Sequence, residues 1–181
     1  PECAWECCMT LNESWGYNPN DSAWKSPRQV VHTLCEVAGR GGNLLLNVSP
    51  NAEGTLPPWQ VERLQTFAAW MSKHAEAVHG TTAGLEPWQF YGPTTRRGDR
   101  VYLHLLSRPY DSVSVRGVHV RKVRAVTALA SGLALGYESR ISAAESIFSP
   151  NPLGELVITV PEEIIDPVAT IVAIDFEPGS L

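Results

Sequence analysis

The chain has 181 residues, of which 44% are hydrophobic and 18% charged, and its formal net charge is -5 at pH 7. This composition is typical of a globular protein and too apolar for a disordered one. A negative net charge without a basic stretch argues against nucleic acid as a partner, and no apolar run is long enough to span a bilayer. The length suffices for one medium domain or two small ones.

The first predicted element is a strand within the apolar stretch 4–11, which also contains Glu6. A polar loop with Trp15 and Tyr17 follows it. Aromatic rings mixed with carboxylates in "WECCMTLNESWGYNPND" suit a pocket that holds a sugar ring. Because strand side chains alternate, Cys8 and Thr10 are expected to share the face of Glu6.

The segment "SPRQVVHTLCEVAGRGG" predicts a helix. Ser26 fits the N-cap, Pro27 the first helical position and Gly39 the end. Apolar residues recur at helical spacing at Val30, Val31, Leu34 and Val37.

A second strand and a second helix follow. The run "GGNLLLNVSP" predicts a strand buried on both faces. After the loop "NAEGTLPP", a second amphipathic helix is expected to end near Gly80. Its predicted apolar side consists of Val61, Leu64, Phe67, Ala68 and Met71.

This alternation of strand and helix is typical of a parallel sheet or a (β/α) barrel. Two such units cannot close a barrel, which needs eight. We therefore expect residues 1–82 to be the last two β/α units of a TIM-like barrel. The chain begins with Pro1 rather than Met, so we expect it to be a fragment of a longer protein.

From residue 83 onward the pattern changes to all-β. Short segments such as "RVYLHLLS", "DSVSVRG", "RKVRAVTAL", "ELVITVP" and "ATIVAIDFE" are separated by turn-forming residues. Val101, Leu103 and Leu105 alternate with their neighbours at a period of two. We expect residues 83–181 to form a small antiparallel β-sandwich without a helix.

The loops after the parallel strands are the expected active-site edge. If Glu6 faces an enclosed lumen, desolvation would raise the pKa of its carboxyl group and suit it to donate a proton. A buried or rim ion pair is the alternative for Glu6. Likewise, Trp15 and Tyr17 are either platforms for a ligand or anchors of the core and loop.

The chain has four cysteines, three of them within six residues. No second cysteine or histidine pair completes a metal site, so buried free thiols are the preferred interpretation. The five histidines lie beside no nucleophile motif, which argues against an acyl-transfer triad. No metal and no cofactor are predicted.

Four ordered motifs, W-E-x-C-x-T, S-W-G-Y, G-G-N-x-L-L-N-x-x-P and G-T-x-P, resemble the end of the catalytic barrel of the α-L-fucosidases of glycoside hydrolase family 29. The resemblance covers residues 5 to about 81. The β-rich remainder is similar in kind to the β-sandwich that follows the barrel in that family.

The resemblance implies a retaining exo-hydrolase that removes terminal α-L-fucose from glycans without a cofactor. It implies that the nucleophile is an Asp that precedes Pro1, because no position here matches that motif. It makes Glu6 the candidate acid/base and Trp15 a substrate-binding residue beside the apolar C6 of fucose. Asn43 and Asn47 are expected to hold the strand and its loop. Ser49 replaces a glycine common in the family.

Two other functions stay open. The β-sandwich could be a carbohydrate-binding or structural module on a barrel remnant that is not catalytic by itself, with Trp88, Phe90, Tyr91, Tyr102 and Tyr110 as available aromatics. Another retaining glycosidase would explain the strands but not S-W-G-Y. By family analogy the protein is secreted, periplasmic or lysosomal, and its oligomeric state is unknown.

Overall fold

A computed structural model describes residues 3–181 of the chain. This range contains ten strands and three α-helices. The strands are β1 (Glu6–Thr10), β2 (Asn43–Asn47), β3 (Thr82–Ala83), β4 (Thr94–Arg97), β5 (Arg100–Leu105), β6 (Ser112–His119), β7 (Val123–Ala128), β8 (Tyr137–Arg140), β9 (Leu153–Thr159) and β10 (Thr170–Phe176). The helices are α1 (Pro27–Gly39), α2 (Pro58–His74) and α3 (Ala143–Phe148).

Helix α1 has the boundaries that its sequence predicts. The Ser26 hydroxyl accepts a hydrogen bond from the Gln29 backbone N–H, and the Gln29 side chain accepts one from the Ser26 N–H. This capping box, with Pro27 at the first position, satisfies two of the N–H groups that a helix start leaves unpaired. Gly39 is the last helical residue.

The strands on either side of α1, β1 and β2, are parallel. Their register pairs Glu6 with Asn43 and Thr10 with Asn47. The prediction that β2 is buried on both faces is wrong for this chain, because Leu45 is 44% exposed. The described residues provide β2 with one neighbouring strand and leave one of its faces uncovered.

Helix α2 is amphipathic, and its buried side matches the prediction in part, since Phe67 and Met71 pack against buried apolar residues. Val61 and Ala68 are exposed, whereas Trp70 and His74 are buried. The indole N–H of Trp70 donates to the Ala169 carbonyl at 2.8 Å, so the helix is turned toward the β-sheet. The α-helix ends at His74 and a short 3₁₀ turn continues the chain toward Gly80.

The second half is an antiparallel sandwich, as predicted. One sheet has the strand order β3-β4-β5-β10-β7 and the other β6-β9-β8. Their inner faces share one apolar core, to which Leu103, Val115, Val126, Ile158 and Val172 belong. Strands β4 and β8 were not among the predicted segments, and the expectation of no helix is wrong because α3 lies between β8 and β9.

A second apolar core joins the helices to the outer face of the five-stranded sheet. Val31 and Cys35 of α1 and Trp70 of α2 pack with Tyr102 of β5 and Ile171 of β10. The alternation in β5 therefore does not separate a buried from a solvated face, because both faces are covered. The two predicted parts, 1–82 and 83–181, share this core. A shared core does not mark a boundary between them, so the division stays a prediction. No helix in the described range is long and apolar enough to cross a membrane.

Candidate functional site

The parallel register of β1 and β2 places the loops that follow them at the same edge. Thr10 and Asn47, the last residues of the two strands, are paired. The loop after β1 runs through residues 11–26, and the loop after β2 runs through residues 48–57. The prediction that both loops share one edge is confirmed.

Trp15 is an exposed aromatic residue whose backbone is held in place. Trp15 is 62% exposed. Its carbonyl oxygen accepts hydrogen bonds from Asn47 Nδ2 at 2.8 Å and from Ser49 Oγ at 3.2 Å. Asn47 therefore holds the loop, as expected. Ser49 supplies a bond that a glycine would lack, and its φ is not positive, so the replacement carries no backbone strain.

Gln60, in the first turn of α2, fixes the loop that bears Ser49. The Ser49 N–H donates to Gln60 Oε1 at 2.9 Å, and Gln60 Nε2 donates to the Ser49 carbonyl at 3.0 Å. Both residues are buried. Gln60 could not be predicted from the sequence, because a polar residue near a helix start carries no signal of burial.

Asp21 ties the first loop together from within. Its carboxylate accepts hydrogen bonds from the Ser14 hydroxyl at 2.7 Å, the Ala23 N–H at 3.0 Å and the Glu13 N–H at 3.2 Å. The Ser14 hydroxyl is the main reason that the pKa of Asp21 lies below its ordinary value. Asp21 is therefore an ionised structural carboxylate that fixes both sides of Trp15.

A stack of two indoles supports the end of the same loop. The rings of Trp24 and Trp59 lie 4.6 Å apart and 4° from parallel. The guanidinium carbon of Arg63 lies 5.5 Å and 5.6 Å from the two ring centroids, and Arg63 Nε donates to the Lys25 carbonyl at 2.7 Å. The stack attaches the loop to α2. Because Trp24 and Trp59 are far apart in the sequence, the helical and strand periodicities do not predict their contact.

Glu6 stands at the opposite end of β1 from the loop that carries Trp15. Glu6 and Thr10 are the first and last residues of β1, and the four steps along the strand between them span about 13 Å at the usual rise. Glu6 is exposed, and its Oε1 lies 3.6 Å from Cys8 Sγ on the same face. The ion pairs of residues 3–181 do not include Glu6. The structure shows no contact between Glu6 and Trp15, so their placement around one ring stays a prediction.

The cysteines differ from the expectation of buried thiols. Cys35 is buried, and burial raises the pKa of its thiol well above the ordinary value. Cys3 and Cys8 are exposed and Cys7 is intermediate, because they lie on or beside the uncovered strand β1. In the part of the chain that the structure describes, no three His, Cys, Asp or Glu side chains converge as a metal site would need.

The edge thus presents Trp15 and the half-exposed Tyr17 on a loop fixed from several sides. A rigid aromatic side chain suits the apolar face of a sugar ring, because an indole or phenol side chain combines a large apolar area with few mobile torsions. The Asn47 amide and the Ser49 hydroxyl already donate to the Trp15 carbonyl. The hydrogen-bonding partners of a sugar hydroxyl must therefore come from other groups at this edge.

The sequence of this chain is similar to those of known proteins. The family model described as Alpha-L-fucosidase matches residues 1–76. The α-L-fucosidase of Dictyostelium discoideum is 31% identical over 121 residues, which are 61% of this chain and 25% of the relative.

Solved structures are similar over nearly the whole chain. The α-L-fucosidase isoenzyme 1 of Paenibacillus thiaminolyticus superposes with a TM-score of 0.79 at 30% identity, covering 96% of this chain and 40% of that one. The Thermotoga maritima α-fucosidase, solved in complex with fucose, superposes with a TM-score of 0.78 at 27% identity over 96% of this chain. The chain spans 40% of the length of both structures.

Proposed function

We propose that the chain belongs to the α-L-fucosidase family and is the carboxyl-terminal portion of a retaining exo-α-L-fucosidase. The proposed substrate is terminal α-L-fucose on glycans or glycoconjugates. The chain spans a quarter to two fifths of the length of the relatives described above. The activity is therefore proposed for the complete protein.

The observation that carries the proposal is the family match over residues 1–76. This range contains both parallel strands and the entire edge around Trp15. Fucose is a deoxy sugar whose C6 is a methyl group, so an exposed indole at this edge offers it an apolar partner. Removal of a methyl-sized contact costs about 1–3 kcal/mol in binding, enough to favour fucose over a sugar without that group.

The proposed mechanism is double displacement. It requires two carboxyl groups about 5 Å apart, one as nucleophile and one as acid/base. We assign the acid/base role to Glu6 and the nucleophile to an Asp in a part of the protein that precedes residue 1. Asp21 is a poor alternative nucleophile, because the Ser14 hydroxyl and two backbone N–H groups already occupy its carboxylate.

The proposed setting is the end of a (β/α) barrel, in which β1 and β2 are the last two strands. Their parallel pairing and the helices α1 and α2 support it. Further strands would cover the exposed side of β2 at Leu45 and the thiol of Cys8. Within this proposal, residues 1–82 belong to the barrel and residues 83–181 form the sandwich.

The test uses the complete protein with 4-nitrophenyl α-L-fucopyranoside and, as controls, the α-D-galactoside and β-D-glucoside of the same alcohol. We expect turnover of the fucoside with α-L-fucose as the first product seen by proton NMR. The 181-residue chain alone is expected to give none, because an acid/base without a nucleophile cannot form the covalent intermediate.

Different results would refute different parts. Initial release of β-L-fucose would contradict retention. Turnover by the 181-residue chain above a mock preparation would contradict the assignment of the nucleophile. Failure of the complete protein to cleave the fucoside would favour the non-catalytic module that the β-sandwich could represent.

A further inference from the structure

An exposed tryptophan on the sandwich, far along the chain from the edge around Trp15, rests on a glycine. Trp88 lies in the turn between β3 and β4 and is 66% exposed. A Cβ built on Gly117 would lie 2.3 Å from Trp88 Cη2 and 2.7 Å from Cζ3. Gly117 has a φ of 62° and sits at an irregularity in the pairing of β6 with β9. A side chain at this position would displace the indole.

Hydrogen bonds lock the turn that carries Trp88 onto the same strand. The Arg116 N–H donates to the Gln89 carbonyl at 2.9 Å, and Gln89 Nε2 donates to the Arg116 and Gly117 carbonyls at 3.2 Å and 3.0 Å. The exposed ring is therefore held on a fixed backbone and is not a mobile loop side chain. A fixed aromatic face loses little conformational entropy when a ligand stacks on it.

A groove of about 280 Å³ opens beside this ring. Trp88 and Tyr91 provide aromatic surface, and Ser114 and Arg116 provide polar groups along β6. Tyr91 is exposed and its ring packs on Phe90, with the centroids 4.6 Å apart. The groove thus has aromatic residues in the turn and hydrogen-bonding groups on the strand.

The polar side continues across the three-stranded sheet. Arg116 Nε donates to Glu155 Oε1 at 3.2 Å, and Arg140 Nη1 lies 3.8 Å from Glu155 Oε2. Arg116 and then Ser114 hold the pKa of Glu155 below its ordinary value, so the carboxylate is charged at neutral pH. A paired guanidinium and carboxylate supply both donors and acceptors, which is what sugar hydroxyls require.

We propose that this groove is a carbohydrate-binding site for a hexopyranose ring of a neutral glycan, with one apolar face of the ring on Trp88 and its hydroxyls toward Ser114, Arg116 and Glu155. A small anion is a poorer match, because Arg116 is already paired with Glu155 and the rings of Trp88 and Tyr91 line the groove. The site lies on the sandwich and would anchor a glycan there, through residues that do not belong to the edge proposed for hydrolysis. It does not depend on the fucosidase activity.

The test measures binding of two neutral disaccharides, N-acetyllactosamine and cellobiose, to the complete protein by saturation-transfer NMR and isothermal titration. Neither probe contains fucose. We expect at least one disaccharide to bind, with saturation strongest on the C–H protons of one ring face. Trp88→Ala is expected to weaken binding about tenfold or more, the scale of a lost aromatic contact. Arg116→Gln is expected to weaken it as well.

Tyr110→Ala is the matched control, since Tyr110 is an exposed aromatic outside the groove, and it should leave binding unchanged. Trp88→Phe tests the platform with less risk to the fold and should retain part of the affinity. Binding of neither disaccharide, or binding that survives Trp88→Ala, would overturn the proposal. A protein that fails to cleave fucosides but binds a disaccharide through Trp88 would refute the proposed function and support this site.

Discussion

The side chain of Gln60 binds both the N–H and the C=O of Ser49, at 2.9 Å and 3.0 Å. Ser49 Oγ in turn donates to the carbonyl oxygen of Trp15 at 3.2 Å. A buried amide of helix α2 is thus connected through two contacts to the backbone of Trp15 at the candidate site. The position of Trp15 depends on α2 as well as on its own loop.

Gln60→Ala should destabilise the fold, because it leaves a buried N–H and a buried C=O of Ser49 without partners. At about 1–3 kcal/mol for each of the two unsatisfied groups, we expect the free energy of unfolding to fall by about 2–6 kcal/mol in urea denaturation. Gln65→Ala, on the exposed side of the same helix, is the control and should change it by less than about 0.5 kcal/mol. Equal effects of the two variants would contradict a structural role for the Gln60 amide.

Trp15→Ala in the complete protein should weaken a fucose-shaped iminosugar more than a galactose-shaped one, because only fucose presents the methyl group. We expect a loss of about 1–3 kcal/mol, measured as inhibition constants, with little change in unfolding because Trp15 is largely exposed. Tyr110→Ala removes an exposed aromatic ring that belongs to neither proposed site and should leave both constants unchanged. Unaltered inhibition by the fucose-shaped compound would show that Trp15 serves only its loop.

Glu6→Gln should separate two classes of substrate if Glu6 is the acid/base. Aryl fucosides with good leaving groups need little protonation in the first step, whereas natural glycans should lose about 10²–10⁴-fold in turnover. Azide should restore turnover of the aryl substrate by attacking the fucosyl-enzyme without a base.

Glu13→Gln is the matched comparison for that experiment. Glu13 is also an exposed glutamate, but it lies on the loop after β1, beside Trp15 in the chain. The Glu6 assignment predicts near-normal activity and no azide rescue for Glu13→Gln. Rescue in Glu13→Gln and not in Glu6→Gln would transfer the acid/base role to the loop. Parallel losses on both substrates in Glu6→Gln, without rescue, would make Glu6 structural.

His104 should make the fold less stable in acid. It is fully buried on β5, and burial lowers its pKa to about 3, against about 6.5 in an unfolded chain. Thr95 Oγ1 donates to the Ala77 carbonyl at 2.6 Å, so His104 Nε2 donates to Thr95 Oγ1 at 2.9 Å as a neutral imidazole. Below about pH 6.5 the unfolded chain binds a proton that folded His104 does not.

The free energy of unfolding should therefore fall by about 1.4 kcal/mol per pH unit from this group as the pH drops from about 6 toward 4. Urea denaturation at several pH values measures the slope. His104→Gln, whose amide can still donate to Thr95, should reduce that slope, and His79→Gln, at an exposed position, should keep it. An unchanged slope in His104→Gln would contradict a neutral buried imidazole.

Local patterns were sufficient for much of the fold. Ser26 and Pro27 specify the start of α1 through atoms within one helical turn, so its cap could be predicted without any tertiary information. The strands β5, β6, β7, β9 and β10 were visible for the same reason, since their apolar residues and bounding turns are adjacent in sequence. Strand β8 was missed because its four residues, "YESR", are all exposed and carry no apolar pattern.

The sequence by itself determined the order of strands and helices, the cap of α1 and the four motifs that connect the chain to the α-L-fucosidases. Only the tertiary structure decided which surfaces are covered. It buried Gln60 against Ser49, covered both faces of β5, exposed Leu45 and Cys8, and placed Trp88 on Gly117. The physical reason is that periodicity records what a side chain prefers, whereas burial depends on partners supplied by residues far away in the chain.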